Sequence, residues 1–473
     1  MINTEHYFVL KDGELIKSLE DLVLIIKNID KETFNYHVTN EKNDFANWIK
    51  YVFKAGRLSD IISGYDYSQK DNIIKAINKH LAERKVLIIN AGSSSIKFEL
   101  IELTAKDMLF KGIIDAIGLD NCTIQIFNEE TKEKPSKISN HEEAVDAMIN
   151  ELLNSEIIGD IKEIKAIAHR VVHGGEVFHN PTIIDEEILS KISELSSIAP
   201  LHNPHNVACI KTCQKFLPEI VHVAVFDTGF HSTITKEKFL YGLPLDYYDL
   251  YGIRKYGFHG SSHKYIAGLM QDYYKIKKKR NPKIIVCHLG NGCSITAIKN
   301  GKSFNTSMGF TPTDGIIMST RSGSLDPYIA VHLEKNLGIG YEQLGNILNK
   351  KSGLLGISGY SDMRSIWNNK KNESCKLALD MFADRLTHYI GAYIAELNGV
   401  DGIVFTAGIG ENAYYVRKKV LDNFKFLGLK LDNKKNNKND FIITADNSKI
   451  ECFVIKSNEE LQIAMEVKKL LKF

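Results

Sequence analysis

Two segments roughly two hundred residues apart constrain this chain most: VLIINAGSSSIKFEL at Val86–Leu100 and IIVCHLGNGCSITAI at Ile284–Ile298. Each is an apolar β run, a small-residue turn rich in backbone N–H donors and a second β run. That arrangement lets two half-molecules grip a nucleotide's phosphates from opposite sides, and its duplication predicts two similar domains around one cleft. A third Gly-rich turn, GIVFTAGIGENA, spans Gly402–Ala413. Gly408, Gly410 and Ala413, with Asp422 downstream, fit a loose dinucleotide fingerprint, but no continuing βαβαβ series surrounds them, which argues against a Rossmann domain. The string NGKS at Asn300–Ser303 is no P-loop, because Thr296 stands where the pattern needs Gly and the flanks read as strands.

A length of 473 residues with 44% hydrophobic and 25% charged content is that of a globular chain with an ample core. Sixty basic against 58 acidic residues give a net charge of +2, too even for a broad nucleic-acid surface. No run reaches transmembrane length, and the first residues lack a basic stretch followed by an apolar one, so a cytoplasmic location is expected. The seven cysteines contain no CxxC pair, and Cys209/Cys213 form a single helical turn, so they read as reduced core residues.

Residues 1–84 stand apart. A strand at Tyr7–Leu10, a turn at Lys11–Gly13 and helical patterns over Ser18–Ile29, Phe45–Ala55 and Ile73–Ala82 read as a small module with its own core, in which His37 and Asp44 have no evident catalytic role. From Val86 the pattern is α/β, with apolar strands at Val86–Asn90, Phe98–Leu103, Ile164–Val172, Ile220–Phe226, Ile284–His288, Ile403–Thr406 and Ile450–Ile455 separated by helical stretches. The Lys/Asn-rich stretch Lys430–Asp440 reads as a surface loop.

Polar residues without structural need cluster in AHRVVHGGE (Ala168–Glu176), APLHNPHN (Ala199–Asn206), VFDTGFH (Val225–His231), YGFHGSSH (Tyr256–His263) and MSTRSGSLDP (Met318–Pro327). Several directly follow apolar strands, where open α/β sheets form their ligand crevice. Arg170 and Arg321 offer planar forks for carboxylate or phosphoryl oxygens. Asp227 can orient an Arg or a hydrated Mg²⁺, or simply cap the next turn. His259 is a candidate donor to a transferring phosphoryl group, with His173, His202, His205, His231 and His263 as competitors. No HExxH, Gly-x-Ser-x-Gly or protein-kinase signature occurs.

Taken in order, NAGSSSIK, HRVVHGGE, PLHNP, FDTGFH, YGIRKYGFHG, HLGNG, NTSMGFTP, TRSG, GISG, FTAGIGEN and NEE resemble the acetate kinase (acetokinase) family of the acetate and sugar kinase/heat-shock 70/actin superfamily, from Val86 to the C-terminus. The resemblance implies two ribonuclease-H-like (actin-like ATPase) α/β domains around a cleft, here with a small mainly helical N-terminal domain at 1–84. Kinase domain I would then span 85–230 plus 460–473, and domain II 231–459. It also implies reversible phosphoryl transfer from ATP to acetate, giving ADP and acetyl phosphate, with Mg²⁺ (or Mn²⁺) as cofactor and a homodimer built on domain II.

Residue by residue, the resemblance makes Asn90 and Glu459 the metal site. Lys97, His288–Gly292 (with Leu289, Gly290 and Asn291) and Gly408–Asn412 (with Ile409, Gly410 and Glu411) become the phosphate-side nucleotide contacts, and Asp362, Met363 and Arg364 the adenosine side. Arg170 and Arg321 become substrate arginines, and His259 and Arg321 transition-state stabilisers. Val172, Leu201, Phe258 and Pro312 line the pocket for the methyl group. The family would make Asp227 a proton donor/acceptor. Since a carboxylate nucleophile is already ionised, however, Asp227 is expected to organise the Mg²⁺ or Arg environment instead.

Some positions depart from the family pattern. GISGYSDMR is one residue short before Asp362, bordering the adenosine side, Ser319 and Ser324 replace the usual Gly and Asp, and FHSTIT lacks Met-Pro. Residues 1–84 have no counterpart in ordinary members. They faintly resemble a small uncharacterised module, for which a regulatory or protein-binding role is open. Two rivals stand beside acetate kinase activity. One is phosphorylation of propionate or butyrate, since a methylene changes preference by only ~1–3 kcal/mol. The other is a nucleotide-driven interaction protein, against which the Arg170, Arg321 and His259 set argues, because an ATP switch needs no carboxylate clamp.

Overall fold

The structure, a computed structural model, describes residues 6–473 except 54, 83, 128–130, 156, 159, 160 and 201. Residues 6–82 fold upon themselves because short capped helices each bring an apolar stripe to one centre. A strand pair, β1 (Phe8–Val9) and β2 (Leu15–Ile16), precedes α1 (Leu19–Asn28), α2 (Lys31–His37), α3 (Asp44–Val52), α4 (Gly56–Ile62) and α5 (Lys70–Ala82). Side chains of Ser18, Asp30 and Asn43 accept backbone N–H groups at the starts of α1, α2 and α3. Leu22, Ile26, Phe34, Phe45, Ile49 and Ile77 form the centre. His37 is a satisfied core residue: its Nε2 accepts from the Lys11 N–H at 3.1 Å and its Nδ1 lies 3.2 Å from Asp44 Oδ2. The sequence pattern missed α2, α4 and β2, which at two turns or two residues are too short for periodicity to register.

The duplicated segments are two hairpins. β3 (Lys85–Ala91) pairs antiparallel with β4 (Ile96–Glu102), and β11 (Lys283–Leu289) with β12 (Cys293–Lys299). Around the first hairpin lie β5 (Asp107–Asp115), β6 (Thr123–Phe127), β7 (Thr131–Pro135), β8 (Ile164–Val171), β9 (Thr182–Ile183) and β10 (Val221–Phe226), in the order β7-β6-β5-β4-β3-β8-β10-β9. Around the second lie β13 (Lys302–Thr306), β14 (Gly402–Thr406) and β15 (Glu451–Val454), in the order β13-β12-β11-β14-β15. The cores β5-β4-β3-β8-β10 and β13-β12-β11-β14-β15 are the same ribonuclease-H-like arrangement, antiparallel across the first three strands and parallel across the last three. The NGKS string is the tight turn between β12 and β13, with Asn300 and Gly301 both at positive φ (53° and 70°).

Both sheets are covered on both faces, which is why β3, β8, β11 and β14 read as unbroken apolar runs. Helices His141–Asn154 and Asn203–Phe216 pack on Leu87, Ile89 and Ile167. Helix Glu459–Leu471 crosses back to the opposite face of the same sheet, placing Ile463, Ala464 and Val467 on Val86, Ile88, Ala166 and Val225. In the second half, helix Gly260–Ile276 lies on Ile284, Val286 and Phe453, and helix Glu373–Glu396 on Ile285 and Ile403. No helix among the described residues is long and apolar enough to cross a membrane.

One reading needs correction. Lys430–Asp440 is not merely a surface loop: it contains helix Asn433–Asn437, and Asn436 is fully buried against Arg417. Cys209 and Cys213 are free and buried as expected, beside His169, whose Nε2 lies 2.9 Å from His222 Nδ1.

Candidate active site

Neighbouring strand ends bring the first charges together. Arg170, near the end of β8, directs Nη2 to Asp227 Oδ2 at 2.9 Å, immediately beyond the parallel strand β10. Its Nη1 lies 3.4 Å from Oδ1 of Asn90 on β3. Asp227 Oδ2 also accepts the His259 backbone N–H at 2.8 Å, while the Asp227 carbonyl accepts that of Gly260 at 2.9 Å. This approach is so close that a Cβ on Gly260 would stand 2.1 Å from the Asp227 carbonyl oxygen. His259 enters the helix Gly260–Ile276 from a left-handed conformation (φ 58°), a strain that Asp227 holds in place.

On the other side of the cleft, Arg321 Nη1 donates to the Pro312 carbonyl at 3.1 Å and has no carboxylate partner among the described residues. Burial pulls its guanidinium below the usual range. His259 Nε2 and Arg321 Nη1 border one small space, lying 3.1 and 3.4 Å from where a Cβ on Gly292 would sit. Burial opposes the charge on Arg170, but Asp227, Glu459 and Glu460 outweigh it and raise the pKa. The imidazoles go the other way: burial pushes His202, His231 and His288 down to about 4, and His259 and His263 well below the usual value. The site therefore combines two fixed cations with neutral rings.

Val172, Phe258, Pro312, Arg321, His173 and His202 line a cavity of about 740 Å³. Leu201 lies outside the described residues; its neighbours Pro200 and His202 are in the cavity wall. Asn206 ties this wall to the first hairpin, since its Oδ1 accepts the Val172 N–H at 3.1 Å and its Nδ2 donates to the Ala91 carbonyl at 2.8 Å.

The expected nucleotide residues fall on both hairpins and the third Gly-rich turn. Lys97 is the cross-strand partner of Asn90 and is exposed. In His288–Gly292 the Gly290 N–H closes on the Gly292 carbonyl at 3.0 Å, and the Asn291 carbonyl accepts the Ser319 N–H at 3.2 Å. Residues Gly408–Asn412 form most of helix Ala407–Asn412, which meets the hairpin turn where Ala407 Cβ approaches Gly290. Behind it, Arg417 donates to the carbonyls of Gly410 and Glu411. Asp362 caps helix Met363–Asn368 through the Ser365 N–H, Arg364 is exposed, and the Met363 carbonyl accepts from Tyr415 Oη at 3.1 Å. The side chains of Leu289 and Met363 point into the core, so only their backbones can meet a ligand.

A divalent cation fits this oxygen-rich side. Asp227 Oδ1 is buried without a hydrogen-bond partner among the described residues. Glu459, at the start of the returning helix, is pushed up to about 7, first by burial and further by Asp227 and Glu460, against the opposing pull of Arg170 and Lys97. Carboxylate and amide oxygens with surplus negative potential suit a hard ion such as Mg²⁺. Sequence reasoning did not single out Asn206, Ser294 or Arg417. Asn206 stood only at the end of the polar cluster Ala199–Asn206, Ser294 is a polar residue in the mostly apolar run Cys293–Ile298, and Arg417, followed by Lys418 and Lys419, gave no signal.

The acetokinase family model matches residues 85–465. An acetate kinase of Carboxydothermus hydrogenoformans is 48% identical over 395 residues, covering 82% of this chain and 99% of that protein. An acetate kinase of Thermotoga maritima is 46% identical over 399 residues, covering 82% and 99%. Among solved structures, Porphyromonas gingivalis acetate kinase superposes with a TM-score of 0.77 at 38% identity, covering 82% of this chain and 99% of that one. A propionate kinase from Francisella tularensis also gives 0.77, at 40% identity, covering 81% and 98%.

Proposed function

The chain belongs to the acetokinase family, and from that premise we propose that it transfers the γ-phosphoryl group of ATP reversibly to acetate, giving ADP and acetyl phosphate. The observation that carries this reading is Arg321: a half-buried guanidinium without a carboxylate partner among the described residues, beside His259 Nε2, on the wall of a cavity with apolar residues. A largely desolvated cation in that state is completed by an anionic ligand.

Acetate is ionised at neutral pH, so the transfer needs alignment and charge neutralisation rather than a general base. Arg170 and Arg321 hold the carboxylate and phosphoryl oxygens, while Val172, Phe258 and Pro312 enclose the methyl group. His259 donates to the group in flight. Asp227 fixes both Arg170 and the His259 backbone. Lys97 and the turns His288–Gly292 and Gly408–Asn412 take the phosphates, and the Asp362–Arg364 segment the adenosine. Asn90 and Glu459 would hold Mg²⁺, which supplies charge neutralisation on the phosphates when bound. Closure of the cleft excludes water from the phosphoryl group.

Propionate is the second reading, since one methylene in an apolar pocket changes preference by only ~1–3 kcal/mol and a propionate kinase is among the similar structures. Exposed Leu243, Leu250, Tyr251, Tyr328 and Tyr341 support a homodimer built on domain II. Seven buried cysteines without a disulfide suit the reducing cytoplasm. The test is acyl hydroxamate formation by the full chain with ATP, Mg²⁺ and acetate or propionate. Product from the unaltered chain that falls about 10³-fold in Arg170→Ala and Arg321→Ala supports the reading. No product with either acid refutes it.

A further inference from the structure

Ser294, the second residue of β12, is fully buried between two imidazoles. Its Oγ lies 2.9 Å from His259 Nδ1 and 2.7 Å from His263 Nε2. The remaining nitrogen of His263, Nδ1, is buried with no hydrogen-bond partner among the described residues. Burial keeps both rings neutral, so three proton arrangements exist, because a hydroxyl has one proton and two lone pairs.

If His259 donated from Nδ1 and Ser294 donated onward to His263 Nε2, the His263 proton would sit on the orphaned Nδ1 as a buried N–H without an acceptor. If both rings donated to Oγ, the hydroxyl proton would need a third partner, and Oγ has none among the described residues. In the remaining arrangement His263 Nε2–H donates to Oγ, the Ser294 hydroxyl donates to His259 Nδ1, and only one lone pair of His263 is left over. Orphaned buried donors are rarer and costlier than an unused lone pair.

We propose that His263 and Ser294 act as positioning residues that fix His259 in the tautomer protonated at Nε2, aiming a neutral N–H at the transferring phosphoryl group. This rests on the phosphoryl-transfer reading above. Nε2 borders the space beside Gly292 that Arg321 Nη1 also borders. With a lone pair there, Nε2 would repel an anionic oxygen; with a proton it donates to that oxygen. The device differs from holding a catalytic imidazole with a carboxylate, because a hydroxyl between two neutral rings sets the proton's position without adding charge.

The test is long-range ¹H–¹⁵N NMR of the full chain with labelled histidine, His259 being assigned through His259→Gln, together with hydroxamate kinetics. The expected result is an Nε2–H tautomer for His259 that becomes mixed in Ser294→Ala. In that variant kcat should fall about 10²-fold, while KM for acetate changes by less than about threefold. His263→Leu should act similarly, and His263→Gln, whose amide N–H can replace Nε2–H, should recover most of the lost rate. An Nδ1–H tautomer in the unaltered chain overturns the relay whatever the activity, as does a folded Ser294→Ala with unchanged kcat. Absence of hydroxamate from the unaltered chain refutes the phosphoryl-transfer reading itself.

Discussion

Replacing Arg417 with Met should destabilise the second domain and loosen the nucleotide turn together. Arg417 is fully buried, and its N–H groups make five hydrogen bonds: to Asn436 Oδ1 (2.8 Å), the Asn436 carbonyl (2.7 Å), Asn439 Oδ1 (2.6 Å) and the carbonyls of Gly410 (2.8 Å) and Glu411 (2.9 Å). At the low end for charged donors, ~1.5 kcal/mol each, these bonds total about 7 kcal/mol. Burial lowers the guanidinium from 12.5 to about 10, a penalty of about 3 kcal/mol that Met would remove. The net loss is about 4 kcal/mol, or roughly 8–16 °C in melting temperature for a domain of this size. Two stranded acceptors are carbonyls of the helix carrying Gly408–Asn412, so ATP affinity should weaken about tenfold alongside. Differential scanning fluorimetry and titration calorimetry measure both. A melting shift under about 3 °C with unchanged ATP affinity would refute the reasoning.

Gly292→Ala would place a methyl 3.1 Å from His259 Nε2 and 3.4 Å from Arg321 Nη1. It should cut kcat about 10²-fold while moving the melting temperature little; an active variant contradicts the convergence of those groups. His173, His231 and His288 are held down to about 4 by burial. Between the ordinary 6.5 and 4 the unfolded chain therefore takes up protons that the fold refuses. Stability should fall with acidification through that window, since the three imidazoles outweigh the opposite contribution of Glu459, raised to about 7, and urea midpoints that rise on acidification would contradict this. Since residues 6–82 have their own core, a chain beginning at Lys85 should keep hydroxamate activity within about threefold; its loss would mean that the kinase domains depend on the module.

The duplicated hairpins were legible because β3, β4, β11 and β12 carry side chains buried on both faces, and an apolar run that ends in a Gly-rich turn and resumes as a second apolar run can hardly be anything but a buried hairpin. Arg170 and Asp227 were legible for the opposite reason, as charged groups at the ends of apolar strands, and His259 and Arg321 as polar groups in Gly/Ser-rich segments with no solvent role. β7 could not be read, since TKEKP is exposed throughout and leaves no apolar trace. The burial of Asn436 was equally hidden, because an Asn among lysines looks solvated until the guanidinium that claims it is located. Ser294 was read only as part of a strand: its two ring partners lie some thirty residues back along the chain, and only tertiary packing unites them.

The returning helix has a consequence for how the chain is made. Roughly 230 residues separate Phe226, at the end of β10, from Glu459. At ribosomal rates of about 5–20 residues per second, the first sheet waits about 10–50 s for its last covering layer. During that interval Val86, Ile88, Ala166, Val223 and Val225, buried in the finished protein, have nothing of their own to pack against. The first half to emerge is thus the last to be completed, and a nascent chain interrupted before Ile463 would carry an adhesive apolar surface, the state most in need of a chaperone.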